Sequence, residues 1–448
     1  MNNDTIFALS SAPGKSGVAV IRISGENLND LAHHIFPSTC PTKPWRSGME
    51  GGTAKRWGGF SRHAYFTNLR DEAGDLIDQC IAIYFDAPRS FTGEDVIEIY
   101  SHGSPAVINK IFEFLCKNGA RIAERGEFSR RAFYNNKLDL TDIDGLVALL
   151  DAQTDNQRKN ALRSLTGHDS AIYSAWRDSM IEISAYSAAI LDYSDDELPA
   201  DINKKILKKT EKLLKEINDA LSQSRATRAI QNGFNVVLVG KTNVGKSSIF
   251  NRLVGSNRAI VSDIAGTTRD VVSAQIDLDG YLVNLSDTAG IRKSRNKVEK
   301  IGIERTHAEI ENSDLILYVY DELPAEIKSD GITIINKADK IKTHKNKKVI
   351  YTSAKSGYGF DKLLDAIKQK MHELMDGGEQ RLIVNERTRE LLQDTANELT
   401  KATKIHNANY DIFSEHVRRA GDNIGKILGV ITTNEIADMT FSRLCLGK

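Results

Sequence analysis

The stretch Val236-Val237-Leu238-Val239-Gly240-Lys241-Thr242-Asn243-Val244-Gly245-Lys246-Ser247 decides the fold. An apolar strand runs into a loop bounded by two glycines, and the spacing from Ser248 to Leu253 is helical. A strand, a glycine loop and a helix in that order cradle a phosphate chain, because the glycines let the backbone turn sharply and aim its N–H groups at the anion. Lys246 then offers a point charge to the β- and γ-phosphates, and the Ser247 hydroxyl is a candidate Mg²⁺ ligand.

Moving outward, Asn336-Lys337-Ala338-Asp339 follows a second apolar strand. A carboxylate at Asp339 can accept from both N1–H and the exocyclic amine of guanine, whereas adenine offers neither donor there. The alkyl stem of Lys337 can cover the base, and Ser353-Ala354-Lys355 would complete its pocket. Asp287-Thr288-Ala289-Gly290 follows the strand Val283–Ser286, so that Asp287 can reach Mg²⁺ through water and the Gly290 N–H can sense the γ-phosphate. Ile291 stands next, where Ras-type enzymes carry the glutamine that orients water, so another group must activate hydrolysis. Gly266-Thr267-Thr268-Arg269-Asp270 falls where the first switch belongs, with Thr268 as its expected Mg²⁺ ligand. Singly, each short motif is more often a turn and a cap than a nucleotide contact. In this order, each after a strand, they specify a GTPase.

Around this module the pattern changes twice. Residues 1–118 read as mixed α/β, with strands at Val18–Ile23, Ala64–Phe66, Ile81–Phe85 and Val96–Tyr100 and an amphipathic helix at Ala106–Cys116. Residues 119–222 carry helical spacing, as in Ile206, Leu213, Ile217 and Leu221. Residues 223–376 alternate strands and helices, the signature of a doubly wound, mainly parallel sheet. Helical spacing returns over 377–448, so one helical domain made of two chain segments is interrupted by an inserted Ras-like P-loop module. Lys204, Lys205, Lys208, Lys209, Lys212 and Lys215 read first as a solvated helix face and second as an RNA contact.

The chain has 448 residues with 60 Lys+Arg against 60 Asp+Glu, and this zero net charge removes any whole-chain electrostatic case for nucleic-acid binding. Mean hydropathy is −0.35 and no apolar run approaches the roughly 18–20 residues that span a bilayer, so no membrane partner is expected. Met1-Asn2-Asn3-Asp4 lacks a basic secretory n-region, and a cytoplasmic protein is the expectation. Cys40, Cys80, Cys116 and Cys445 form neither a zinc spacing nor a dense disulfide framework; the first three read as core filler.

The ordered motifs, the segment Val298-Glu299-Lys300-Ile301-Gly302-Ile303-Glu304-Arg305 and the final Cys445-Leu446-Gly447-Lys448 resemble the MnmE (TrmE) family of tRNA uridine-modifying GTPases. The likeness extends through Asp4-Thr5-Ile6, Arg22-Ile23-Ser24-Gly25, Phe91-Thr92-Gly93-Glu94-Asp95, His102-Gly103, Gly126-Glu127-Phe128-Ser129, Arg131-Ala132-Phe133 and Lys137-Leu138-Asp139-Leu140.

This resemblance implies a potassium-dependent GTPase in which two G domains of a homodimer meet across their nucleotide faces. Asn243 matches the potassium-binding asparagine, and Ser262, Ile264 and Thr267 match the loop that completes the ion's shell. Glu299 matches the carboxylate that orients the attacking water. The implied GTP-contacting set comprises Asn243, Val244, Gly245, Lys246, Ser247 and Ser248 in the phosphate loop, and Ser262, Asp263, Ile264, Ala265, Gly266, Thr267 and Thr268 in the first switch. Asp287, Thr288, Ala289, Gly290, Asn336, Lys337, Asp339, Ser353, Ala354 and Lys355 complete it. Arg22, Glu98, Lys137 and Lys448 match positions that contact a tetrahydrofolate derivative (5,10-methylene- or 5-formyl-), and Cys445 matches a near-terminal cysteine that is a candidate nucleophile. The resemblance further implies a heterotetrameric or larger complex with the FAD- and NADH-dependent partner MnmG, acting on tRNA.

Two residues depart from the family pattern: Thr242 stands where proline is common, and Ser262 where threonine is frequent. The stretch from Asp287 to Asn336 is compact, with altered surface loops expected around Glu322–Asp330. Two other readings compete. A ribosome-assembly or signalling GTPase with RNA-binding appendages would need no folate pocket, and a one-carbon transferase with a regulatory G domain would need no flavoprotein.

Overall fold

A computed structural model describes residues 4–26, 28–36, 61–192, 199, 201–256, 258–260, 272–287, 309–341, 346–375, 382, 384–405, 409–430 and 447. The chain divides into one unit of Met1–Val147 with Gly425–Lys448 and a second of Ala148–Ile424.

The first unit is built on strands β1 (Ile6–Leu9), β2 (Ser16–Gly25), β3 (Ala64–Arg70), β4 (Leu76–Phe85), β5 (Asp95–Gly103) and β6 (Arg121–Ile122). Their order is β3-β4-β5-β2-β1-β6, antiparallel throughout except for the parallel β1–β6 edge. The alternation in β2 sorts its side chains: Ala19, Ile21 and Ile23 are buried, while Val20 and Arg22 point to the other face. On the buried face, helix Pro105–Lys117 begins with its proline and lays Ile111, Phe114 and Leu115 on Phe7, Ile97 and Ile99. The opposite face carries a smaller apolar cluster of Ile6, Ala8, Ala123 and Phe128, and around it the polar residues described below. Strands β1 and β6, four and two residues long, are additions to the sequence reading, because such short runs show no period. Cys80 is buried, and burial beside Asp78 pushes its thiol up to about 12. Cys116 corrects the core-filler expectation. It is exposed, because the buried stripe of its helix passes through Phe114 and Leu115.

The second unit holds a sheet of β7 (Phe234–Val239), β8 (Arg258–Ile260), β9 (Val272–Leu278), β10 (Tyr281–Asp287), β11 (Leu315–Tyr320), β12 (Gly331–Ile335) and β13 (Ile350–Tyr351). The order is β13-β12-β11-β7-β10-β9-β8, with β7 central; pairings from β13 to β10 are parallel, and β9 and β8 are antiparallel. The β9–β10 hairpin turns at Asp279-Gly280, where both residues have positive φ (58° and 80°), the backbone that a tight two-residue turn requires. Val236, Leu238, Leu285, Leu317 and Ile334 pack with Ile249, Leu253, Leu363 and Ile367 of helices Lys246–Ser256 and Phe360–Met375. The crossover from β11 to β12 spans residues 321–330 without a helix.

Helices from both sides of this module form the rest of the unit. Glu386–Ile405 packs along Ile202–Ser222, which packs on His168–Asp192. Ile206, Thr210, Leu213 and Ile217 form the buried stripe of the middle helix. The lysines of that helix lie outside the stripe, and Lys205, Lys209 and Lys212 pair with Asp201, Glu182 and Glu216, which suits a solvated face. No helix among the described residues is long and apolar enough to cross a membrane.

Candidate functional site

The end of β7 delivers the glycine loop against two backbone neighbours. A Cβ at Gly240 would meet the Val319 carbonyl oxygen at 2.2 Å, so only glycine lets the loop leave the sheet here. At Gly245, φ is 98° and a Cβ would meet the Asn336 side-chain nitrogen at 2.2 Å. Asn243 also adopts positive φ, 65°, a conformation that asparagine tolerates better than most residues.

Polar side chains hold the loop mainly by its carbonyls. Lys246 Nζ donates to the carbonyls of Gly240 (2.9 Å) and Lys241 (3.0 Å). Lys337 Nζ donates to the Asn243 carbonyl at 2.8 Å and pairs with Asp321 at 3.3 Å. Asn336, 3% exposed, donates through Nδ2 to the Val244 carbonyl (3.0 Å) and accepts the Ala354 N–H at Oδ1 (3.2 Å). It therefore joins the phosphate loop to the 353–355 loop. Ser353 Oγ donates to Asp339 at 2.6 Å, and this bond first, then a backbone N–H, holds the Asp339 carboxyl below the usual carboxylate range. Asp339 is thus an anionic acceptor at neutral pH, the state that two guanine donors need.

Ser247 Oγ donates to Asp287 Oδ2 at 2.6 Å, and Asp287 is 1% exposed. Two hard oxygens, a hydroxyl and a carboxylate, converge at the start of the helix, a donor set that fits Mg²⁺. Lys246 rests within the same turn, from which its ammonium can exchange carbonyl partners for phosphate oxygens.

A second polar cluster occupies the outer face of the first unit's sheet. Register pairs Arg22 with Glu98, and Arg22 Nε reaches Glu98 Oε1 at 2.9 Å. Tyr100 Oη donates to Glu98 Oε2 at 2.6 Å; burial and this carboxylate push the phenol up to about 12. The Arg22 guanidinium lies 4.9 Å from the Phe91 ring centroid and 5.9 Å from that of Phe128, and its Nη1 is 3.5 Å from the Gly447 carbonyl. Lys137 Nζ donates to the Pro88 carbonyl at 3.1 Å, and the residue lines a cavity of about 550 Å³ with Phe133, Leu138 and Gly429. The structure thus brings Arg22 and Glu98 together and gives Lys137 different partners.

Beside them lies a network that composition and spacing did not reveal. Arg131 bonds Glu94 (3.1 Å), Asp4 (2.8 Å) and Glu127 (3.2 Å), Arg121 joins Asp4 and Glu127, and Ser24 Oγ donates to Glu94 at 2.7 Å. Burial raises the Glu127 carboxyl, but the hydrogen bonds from Arg121, the Glu124 N–H and Arg131 outweigh it and hold it below its ordinary range. The signal was present in the quoted motifs, which contain Asp4, Glu94, Glu127 and Arg131: Glu127 and Arg131 stand at the i,i+4 spacing of one helix, but no spacing relates that pair to Asp4 and Glu94.

Ser262, Asp263, Ile264, Ala265, Gly266, Thr267, Thr268, Thr288, Ala289, Gly290, Glu299, Cys445 and Lys448 lie outside the described residues.

Residues 5–137 match the family model described as the GTP-binding protein TrmE N-terminus, and residues 140–445 match that of the MnmE helical domain. The tRNA modification GTPase MnmE of Bartonella tribocorum is 36% identical over 454 residues, covering 99% of this chain and 100% of that protein. That of Aquifex aeolicus is 34% identical over 465 residues, with the same coverage of 99% and 100%. Among solved structures, the G domain of the T. maritima FeoB iron transporter aligns with 32% of this chain and 98% of its own at 26% identity, with a TM-score of 0.24, too low to weigh in the assignment. With full-length relatives at more than a third identity and a phosphate loop, base loops and helical segments in one consistent order, the chain belongs to the MnmE family of tRNA modification GTPases.

Proposed function

We propose that this GTPase is potassium-activated and that, with the FAD-dependent partner MnmG, it modifies C5 of the wobble uridine of certain tRNAs in the cytoplasm, adding an aminomethyl or carboxymethylaminomethyl group. The observation that carries the potassium reading is the state of Asn243. Its backbone is at φ 65°, its carbonyl is engaged by Lys337, and the residue is exposed, which leaves its amide oxygen available to an alkali ion. Ser262, Ile264 and Thr267 complete the ion's shell in this reading. An ion held there would supply positive charge to the phosphates, as an arginine finger does elsewhere.

The protein's own residues do the rest. Lys246 and the loop N–H groups bind the β- and γ-phosphates, Ser247 and Thr268 hold Mg²⁺ with Asp287 behind them, and Asp339 selects guanine. Glu299 orients the attacking water in place of the glutamine missing at Ile291. Cleavage of the γ-phosphate drives the conformational cycle in this reading.

Arg22, Glu98, Lys137 and Lys448 are the proposed folate contacts, with methylene-tetrahydrofolate as one-carbon donor. Glu98 suits a pterin: a carboxylate has about four acceptor sites, and with Arg22 Nε and Nη2 both on Oε1 and Tyr100 on Oε2, a site on Oε2 is left for a ring donor. Cys445 is the candidate nucleophile. The working unit is a homodimer in complex with MnmG, and the domain boundaries are 1–118, 119–222, 223–376 and 377–448.

GTP turnover measured in matched KCl and NaCl buffers tests the central point. Potassium is expected to raise it by about tenfold or more; equal rates would remove the ion. Nucleoside analysis of tRNA from a deletion strain, with and without the gene restored, tests the modification itself.

A further inference from the structure

Helix Lys246–Ser256 begins in the phosphate loop, and two turns later Arg252 projects from it towards the 353–357 loop. Arg252 Nη1 donates to the Ala354 carbonyl at 3.3 Å, and its guanidinium carbon lies 5.6 Å from the Phe360 ring centroid. Gly357 makes room for it: φ is 87°, and a Cβ there would meet Arg252 Nη2 at 2.1 Å. The same Ala354 donates its N–H to Asn336, which holds the Val244 carbonyl. A circuit therefore closes from phosphate loop through Asn336 and Ala354 to Arg252 and back along the helix to the phosphate loop.

We propose that Arg252 is a positioning residue for nucleotide retention, fixing the base-side loop to the helix that carries the phosphate loop. It touches no nucleotide in this role. The guanidinium holds the Ala354 carbonyl while Asn336 holds the Ala354 N–H, so the loop cannot swing away from a bound base without breaking the Arg252 contact. The guanidinium's several fixed N–H donors matter here, because one group must both lie over Phe360 and point an N–H at the carbonyl, a geometry that a flexible ammonium holds less well. The inference rests on the reading of 353–355 as the base loop.

The test uses the full-length protein and a fluorescent GDP analogue in stopped flow. Arg252→Ala should speed GDP release by about fivefold and raise KM for GTP by a similar factor, with kcat held within about twofold. Arg252→Lys should fall between it and the parent. Gly357→Ala, which drives a methyl group into the guanidinium, should also speed release. Arg252 is exposed, so its variants are expected to fold, and unchanged thermal melting would confirm that they do. Release rates and KM equal to the parent's in a folded Arg252→Ala would overturn the proposal, as would a fall in kcat as large as the rise in KM. Failure of the parent itself to bind GDP would instead overturn the nucleotide-site reading.

Discussion

The nucleotide site and the charged face of the N-terminal sheet are held together in different ways. In the first, Lys246, Lys337, Asn336 and Arg252 each donate to a main-chain carbonyl, with Lys337 also pairing with Asp321. In the second, Arg22, Arg121 and Arg131 end mainly on carboxylates. A carbonyl is neutral and supplied by any residue, so losing its donor leaves a modest deficit that water at an open loop can fill. A carboxylate that loses its guanidinium while half-buried keeps an uncompensated charge. The first site should therefore be breakable in activity without loss of the fold, and the second breakable in stability.

The largest effect is expected at Lys246. Lys246→Ala should lower GTP turnover by about a hundredfold or more, since it deletes the charge aimed at the phosphates, while thermal melting shifts little. A matching collapse of the melting temperature would erase the contrast between the two sites. Next comes Arg131→Met, which takes the guanidinium away from Glu94 and leaves Asp4 and Glu127 to Arg121 alone. It should destabilise the N-terminal unit by about 3 kcal/mol in urea titration and leave GTP hydrolysis intact. Stability within about 0.5 kcal/mol of the parent would show the network to be ornamental.

The smallest effect is a pH dependence. The Asp4 and Glu127 carboxyls are held below their ordinary values of 3.8 and 4.5, so their ion pairs stabilise the fold above those values. As pH falls through the lowered folded-state values, that contribution disappears. The N-terminal unit should thus lose stability below about pH 4.5. Glu127→Gln should flatten the profile; an identical acid profile in parent and variant would assign the loss to other carboxylates.

Legibility differed between the sites for a related reason. The phosphate loop was readable because its glycines, Lys246 and Ser247 are contiguous and the strand before them is apolar. Asn336 was named but its bridging role was not, since a motif gives a residue's presence and not the two atoms it joins. Arg252 had no motif at all: one arginine on an exposed helix face is indistinguishable from any other until the 353–357 loop is placed beside it. The β9–β10 hairpin also escaped notice, although Asp279-Gly280 carried its turn signal.

The sequence by itself determined the GTPase module, the order of the domains, the apolar stripe of helix Ile202–Ser222 and the family resemblance, because these depend on local period and on residues adjacent in the chain. Only the tertiary structure decided which distant charges meet, such as Arg22 with Glu98 and Arg131 with Asp4, and which of Cys80 and Cys116 is buried. Strand register and helix rotation set those outcomes, and both follow from packing the whole core at once.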